Sequence, residues 1–313
     1  MRSPRAEQIH NRGRALAYEG QFARAAEEFR RVLKFDPGNP FARYDLALAL
    51  LAQGRFDEGF SHYSARYELP GARPRPDLPF PAWTGQSLEG KSLVVFPEQG
   101  FGDQIQMARF APVLAGMGAD VTWLCEPALA PLFQGLGVRA LAAAGKVEFP
   151  DPDYWCQVMD LPGLLRVSSD RIPGAPYLSA PPKPLGGKVG LVRRGKPSHA
   201  NDGVRSLPDD LILPFEALNL APESTGARSF QETAEIIAGL NLVISVDTAI
   251  AHLAGALGKP CFLMLAAQGV DWRWKRSGST SPWYPTMRLY RQPRPGDWAT
   301  VVAQVQKDMQ DFL

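Results

Sequence analysis

From Lys91 onward the chain alternates short apolar runs with stretches of helical periodicity, and this alternation constrains the fold more than any other feature. Residues 93–96, 121–125, 189–192, 242–246 and 261–265 are mostly apolar and carry no polar–apolar alternation. Such runs suit strands buried on both faces, hence a parallel sheet with helices on either side. Between them, 104–117, 128–136, 231–239 and 248–257 read as helices, with 297–313 as a closing helix. Two turn-rich stretches without periodicity, 71–91 and 174–188, read as linkers. The expected fold class is therefore α/β, with two Rossmann-like domains at 74–180 and 181–313.

The first 73 residues have a different texture. Laid over itself at a period of 34, the segment pairs Leu16 with Leu50, Gly20 with Gly54, Phe22 with Phe56, Ala25 with Gly59 and Phe29 with Tyr63. This resembles the tetratricopeptide repeat, a helix–turn–helix unit of that length. Gly20 and Gly54 fall in the turns, where a left-handed backbone costs glycine little. Two units are fewer than the three or so that a free-standing array needs. The helices are thus expected to pack on other parts of the chain, as a cap or as a remnant platform for a peptide.

Composition narrows the function classes. Thirty-four basic against 32 acidic residues give a net charge of +2, too balanced for a nucleic-acid protein. Cys125, Cys156 and Cys261 have neither metal-ligand spacing nor an even count, so no metal site and no disulfide framework is expected. No apolar run reaches membrane-spanning length and the first residues lack a signal-peptide core. A cytoplasmic protein without an integral membrane segment is expected.

Three clusters could carry chemistry. The turn FPEQGFGDQIQ follows the first strand and holds Glu98, Gln99, Gly100, Gly102 and Asp103. It lies at the carboxyl end of a parallel strand, where open α/β sheets bind ligands. Asp103 equally suits a helix N-cap, with Gln106 completing a capping box. In the second cluster a strand runs into Asp247 and Thr248 and then a helix rich in small residues, Ala249 among them. The first turn of such a helix can hold a phosphate. His252, four residues after Thr248, shares its face, although Asp247 or Thr248 can also be a plain cap. The third cluster, RRGKPSHANDGVRS, brings Arg193, Arg194, Lys196 and Arg205 within 13 positions after a strand end. These could neutralise a leaving phosphate or form a solvated loop. The aromatic stretches DWRWKR and SPWYP read as packed loops before sugar-stacking surfaces.

Together, EQGFGDQIQMARF, RSL at 205–207, SVDTAIAHLAGALGKP, DWRW and SPWYPTMRLYRQ resemble bacterial tetratricopeptide-linked glycosyltransferases. These are similar to the lipopolysaccharide heptosyltransferases and, more distantly, to O-linked N-acetylglucosamine transferase. The resemblance implies the GT-B architecture, with the acceptor on the first Rossmann-like domain and a nucleotide-sugar donor on the second. It implies inverting, metal-independent transfer to a protein or glycan hydroxyl, with the nucleotide-sugar as co-substrate and no cofactor. Asp103 matches the base, and Asp247, Thr248 and His252 match the donor-binding block. The chain departs from the pattern at Arg193, where relatives carry tryptophan. It departs again between 207 and 230, where ALNLAPESTGARSF stands in place of a strand ending in Leu-Gln. Two alternatives stay open: a non-catalytic scaffold on a degenerate transferase fold, and an S-adenosylmethionine methyltransferase. The second would use EQGFGD as its first motif and Glu126, 23 positions after Asp103, on the ribose.

Overall fold

The computed structural model describes residues 4–72, 75–174, 176–183, 185, 188–199, 201–310 and 312. Arg73 and Pro74 at the expected domain boundary, Ala200 in the basic loop, and Ala175, Pro184, Gly186 and Gly187 in the second linker lie outside them. The chain forms two compact units, neither continuous in sequence. One comprises residues 1–79 with 162–172 and 268–278, and the other 80–161, 173–267 and 279–313. Both sheets belong to the second unit, so the units cut across the division into 1–73, 74–180 and 181–313.

The first unit is built on α1 (Pro4–Tyr18), α2 (Phe22–Phe35), α3 (Pro40–Ala52) and α4 (Phe56–Tyr63), two helical hairpins in tandem. Gly20 and Gly54 both adopt φ of +77° in their turns, as the repeat requires. Gly13 and Gly59 sit where helices touch. A methyl group on Gly13 would stand 2.6 Å from the Phe29 ring, and one on Gly59 2.7 Å from the Leu51 side chain. In place of a third repeat, the chain supplies its own cover. Trp272 meets the rings of Phe56 and Phe60 edge-on, at centroid distances of 6.4 and 5.6 Å. Arg276 lies against Gly20, and Lys275, itself at φ +56°, lies beside Gly54. The stretch DWRWKR is thus a packed loop, and it completes the helical unit.

The second unit holds two parallel sheets. The first has strand order β3-β2-β1-β4, with β1 Ser92–Phe96, β2 Asp120–Cys125, β3 Arg139–Ala142 and β4 Tyr154–Gln157. Its connections carry α5 (Phe101–Met107), α6 (Ala111–Gly116) and α7 (Ala130–Phe133); α8 (Leu161–Leu164) follows β4. The second sheet, ordered β6-β5-β7-β8-β9, contains β5 Val189–Val192, β6 Leu218–Asn219, β7 Leu242–Val246, β8 Cys261–Leu265 and β9 Met287–Arg291. Its connections carry α9 (Asp202–Arg205), α10 (Pro222–Thr225), α11 (Phe230–Ala238) and α12 (Ala249–Ala256), and α13 (Trp298–Met309) closes the fold. Val301, Val302 and Val305 of α13 pack on the β5, β7 and β8 side chains as one core.

Several expectations change on this frame. The helix expected over 104–117 is two helices joined by a 3-10 turn at Ala108–Phe110, and the one over 128–136 is mostly 3-10 turns. Both stretches contain proline (Pro112 and Pro131), which cannot donate to an interior helical bond. The segment before Phe230 does supply a strand, the two-residue β6, which pairs with β5 at the edge of its sheet. The linkers are structural. Trp83 is fully buried, and its backbone N–H donates to the carbonyl of Trp155 in β4. The Tyr177 and Leu178 N–H groups both donate to the Ala256 carbonyl at the end of α12.

Candidate functional site

At the carboxyl end of β1 the left-handed residue is Gln99, at φ +62°, not a glycine. The turn is therefore complete one residue early, and Gly100 becomes the N-cap of α5. Asp103 stands at the third helical position and reaches back, Oδ2 accepting the Gly100 N–H at 2.9 Å. Gln106, expected to complete a capping box, is buried inside the helix. Gln104 ties the helix to the next strand: its Oε1 accepts the Glu126 N–H at 3.0 Å. Glu98 and Asp103 are half-buried, and Gln99 and Gly100 are exposed at the sheet end.

At the carboxyl end of β7, Asp247, Thr248, Ala249 and Ile250 are half-buried. Thr248 is the N-cap of α12 but makes no cap bond; its hydroxyl pairs with the buried Ser245 hydroxyl at 3.1 Å. The first turn of α12 therefore keeps its N–H dipoles without a side-chain oxygen from Thr248. Arg205 braces this edge. Its Nη1 donates to the Asp247 carbonyl at 2.9 Å, and its Nε to Asp202 Oδ1 at 3.2 Å. The guanidinium lies on the bare α-carbon of Gly195, where an added methyl group would stand 2.2 Å from Nη2.

The other cations of that loop diverge. Arg193 Nη2 donates to the carbonyls of Pro208 at 2.7 Å and Leu211 at 2.9 Å, so it braces the following turn. Arg194 pairs with Asp209 at 2.5 Å, and Lys196 is exposed. Of the four, only Arg205 is bonded to the strand end that carries Asp247.

The two helix starts meet. Gly102 in the first turn of α5 packs against α12 so closely that a methyl group there would lie 2.9 Å from His252 Cδ2 and 3.5 Å from the Ala249 α-carbon. Gly102 serves this approach, since it has no positive φ. The first residues of α5 and α11, Phe101 and Phe230, bring their rings to a centroid distance of 4.9 Å, tilted by 56°. The structure thus brings Gly100, Gly102, Asp103, Ala249 and His252 together where β1 and β7 end.

Behind this seam His252 adjoins a cluster of Arg109, Tyr177 and Tyr284, none of which the sequence reading assigned to the site. His252, 6% exposed, has its Nδ1 2.9 Å from the Tyr284 hydroxyl. Tyr284 is fully buried against Gly255, and burial raises its phenol well above the usual value. The Tyr177 hydroxyl donates to the Ile105 carbonyl of α5 at 3.0 Å and stands 3.5 Å from the Tyr284 oxygen. Arg109, 1% exposed, donates to the carbonyls of Gln106, Pro173 and Trp283 at 2.9, 3.0 and 2.8 Å. Its guanidinium lies 4.8–5.2 Å from the ring centres of Tyr177, Trp283 and Tyr284. Among the described residues it makes no ion pair, so carbonyl dipoles and ring faces balance the buried charge. An arginine amid the apolar run 105–114 was the one available signal.

Comparison with known proteins places two segments. Residues 16–59 match a tetratricopeptide repeat, and residues 204–264 match glycosyltransferase family 9 (heptosyltransferase). The second segment runs from α9 to β8 and contains Arg205, Asp247, Thr248, Ala249 and His252. It occupies the half of the chain that a methyltransferase reading leaves without a role. Protein FlbA of Caulobacter vibrioides is 28% identical over 97% of this chain, and the chain spans 61% of that relative's length. Among solved structures, a glycosyl transferase family 9 protein from Veillonella parvula is 10% identical, covering 74% of this chain and 92% of its own, at a TM-score of 0.41. The E. coli heptosyltransferase WaaC with ADP-2-deoxy-2-fluoro heptose is 13% identical, covering 70% and 99%, at 0.44. Among the described residues no three His, Cys, Asp or Glu side chains cluster as a metal site would require, and no helix is long and apolar enough to cross a membrane.

Proposed function

We propose that the second unit transfers a sugar from a nucleotide-sugar to a hydroxyl of a protein or glycan, with inversion and without a metal ion. The observation that carries this reading is the seam at Gly102, Ala249 and His252. There the Asp103 turn and the first turn of the family 9 helix α12 lie side by side. In the reaction the Asp103 carboxylate takes the proton of the acceptor hydroxyl as its oxygen attacks the anomeric carbon. The bond from that carbon to the diphosphate oxygen breaks, and the nucleoside diphosphate leaves with the electron pair. The N–H groups at Thr248–Ile250, with Arg205 and Lys196, are assigned to the charge developing on it.

Two features favour the second reading, a scaffold without turnover: Asp103 Oδ2 is engaged with the Gly100 N–H, and His252 is almost covered. One experiment separates them. Calorimetry with UDP-, GDP-, ADP- and CMP-linked sugars, with and without EDTA, is expected to show binding to one of them that the chelator leaves unchanged. Asp103→Ala is expected to keep that affinity and lose transfer. Absence of binding across the panel refutes the transferase, and full transfer by Asp103→Ala removes the carboxylate from the mechanism.

A further inference from the structure

We infer that the helical unit carries a docking site for an acidic peptide segment. It lies in a cavity of about 620 Å³ between the α1–α2 turn, the end of α3 and residues 275–277. The site falls wholly within the first unit and does not depend on catalysis in the second.

The charge of this cavity is one-sided. Arg24 of α2 and the adjacent Lys275 and Arg276, from a segment distant in sequence, converge on its wall. Among the described residues no carboxylate lines it. Glu19, beside the turn, accepts the Gln21 amide N–H at 2.7 Å. What recruits an anion here is the summed field of three cations, whatever other contacts Lys275 and Arg276 make.

Folding stability accounts for only part of this arrangement. Arg276 lies against Gly20 and Lys275 beside Gly54, next to the carboxyl ends of α1 and α3, where the helix dipole favours a cation. Arg24 does the reverse. It is the third residue of α2, in a first turn without an acidic residue, where positive charge opposes the dipole. Among the described residues its one bond runs from Nη1 to Gln21 Oε1, so most of its N–H donors remain. Lys275 carries a backbone cost as well. Its φ of +56° and ψ of −174° belong to a region that is essentially glycine's, and such strain gathers at ligand clamps.

The rest of the wall suits a peptide better than a mineral anion or a nucleic acid. Gln53 spends an amide N–H on the Ala49 carbonyl at 2.7 Å. Its own carbonyl oxygen can then accept a backbone N–H, and it repels a phosphate. Phe22, half-buried, adds an apolar patch. The volume lies within the roughly 300–1,000 Å³ of ligand pockets, far beyond one inorganic anion. Two acidic side chains on one extended segment satisfy Arg24 on one side and the Lys275–Arg276 pair on the other.

The test measures fluorescence anisotropy of a dye-labelled Glu/Asp peptide on the full chain, against its Gln/Asn counterpart, at low and high salt. The acidic peptide is expected to bind, more weakly as salt rises, and the neutral one not to bind. Arg24→Gln and Lys275→Gly should each weaken binding by about tenfold, the worth of one charge-assisted bond. Their thermal midpoints should stay level or rise, since one removes a charge opposed to a dipole and the other a strained backbone. Lys146→Gln, at an exposed lysine of the second unit, should leave the affinity unchanged. Absence of peptide binding overturns the inference, whether or not an oligonucleotide or inorganic phosphate binds. So does equal weakening by Lys146→Gln, the mark of diffuse charge attraction, or full affinity in Arg24→Gln. A lowered midpoint with unchanged affinity in Lys275→Gly makes that lysine a structural residue and overturns its place in the site. Should Lys275→Gly fail to fold, Arg24→Gln, on an exposed side chain, still decides.

Discussion

The two glycines of the Gly100–Phe101–Gly102 turn look interchangeable in sequence, yet only Gly102 should be sensitive to a methyl group. At Gly100 the φ is −89°, open to any residue, and the nearest atom to an added Cβ is Asp103 Oδ2 at 3.4 Å. Gly100→Ala loses the mild N-cap preference of glycine, roughly 0.5 kcal/mol, and gains a similar amount from a stiffer unfolded chain, so it should be near neutral. At Gly102 the Cβ would stand 2.9 Å from His252 Cδ2, closer than such contacts occur. Alanine there gains up to about 1 kcal/mol in helix propensity. Overpacking costs about 1–3 kcal/mol, and the ring cannot slide away because Nδ1 is held by Tyr284. Gly102→Ala should therefore be destabilising by roughly 1 kcal/mol net, and it should also displace His252. Urea unfolding of both variants, followed by tryptophan fluorescence and read as midpoint shifts at constant slope, checks the sign. A Gly102→Ala protein stabilised by about 1 kcal/mol, as an ordinary helical Gly→Ala change would be, refutes the claim that this seam is tight.

Two further outcomes follow from titration. Burial pushes the Cys125 and Cys261 thiols up to about 12, with the Glu126 carboxylate adding to the effect at Cys125, and Cys156 is buried as well. A disulfide reagent at pH 8 should find no fast thiol in the native protein and three after denaturation; one fast thiol in the native protein would contradict this packing. In the helical unit, burial holds His62 below its usual 6.5, with Arg43 and Arg30 acting in the same direction and Glu58 against it. Between the depressed folded value and 6.5 the unfolded chain binds more protons, so stability rises with pH in that window and is lost as pH falls through it. His62→Gln should flatten this dependence in urea midpoints taken between pH 7.5 and 5, and an identical slope in both proteins would remove His62 as its source.

What was legible in the sequence was whatever depends on a local pattern. β5, β7 and β8 fall where their apolar runs stand, because a strand buried on both faces leaves no polar position to blur its ends. The repeat glycines fall where a positive φ is needed. β9 was hidden because Arg288 and Arg291 break its apolar run, and β6 because two residues carry no period. Linkers were misread for a related reason. Proline-rich texture reports the lack of a repeating backbone bond, and it says nothing about burial, as Trp83 and Leu178 show.

The site was legible only as separate pieces. The carboxylate turn and the Asp-Thr-x-x-x-His block each announce themselves at a strand end, but their meeting depends on the bare α-carbon of Gly102 and on Gly255. Sequence spacing puts Gly102 in a turn and Gly255 on a helix lying close to the sheet, and names neither partner ring. Arg109, Tyr177 and Tyr284 come from positions up to 175 residues apart and converge only in the folded chain. Their convergence also has an energetic logic. A guanidinium with no carboxylate partner is tolerated inside only where dipoles and π-faces are already fixed around it. Here Gln106 offers a carbonyl from within α5, and Pro173 and Trp283 offer theirs from segments distant in sequence. Removing the cation would take a charged donor from three carbonyls at once. The same charge therefore ties α5, the segment at Pro173 and the turn at Trp283 together behind the approach of Gly102 to His252.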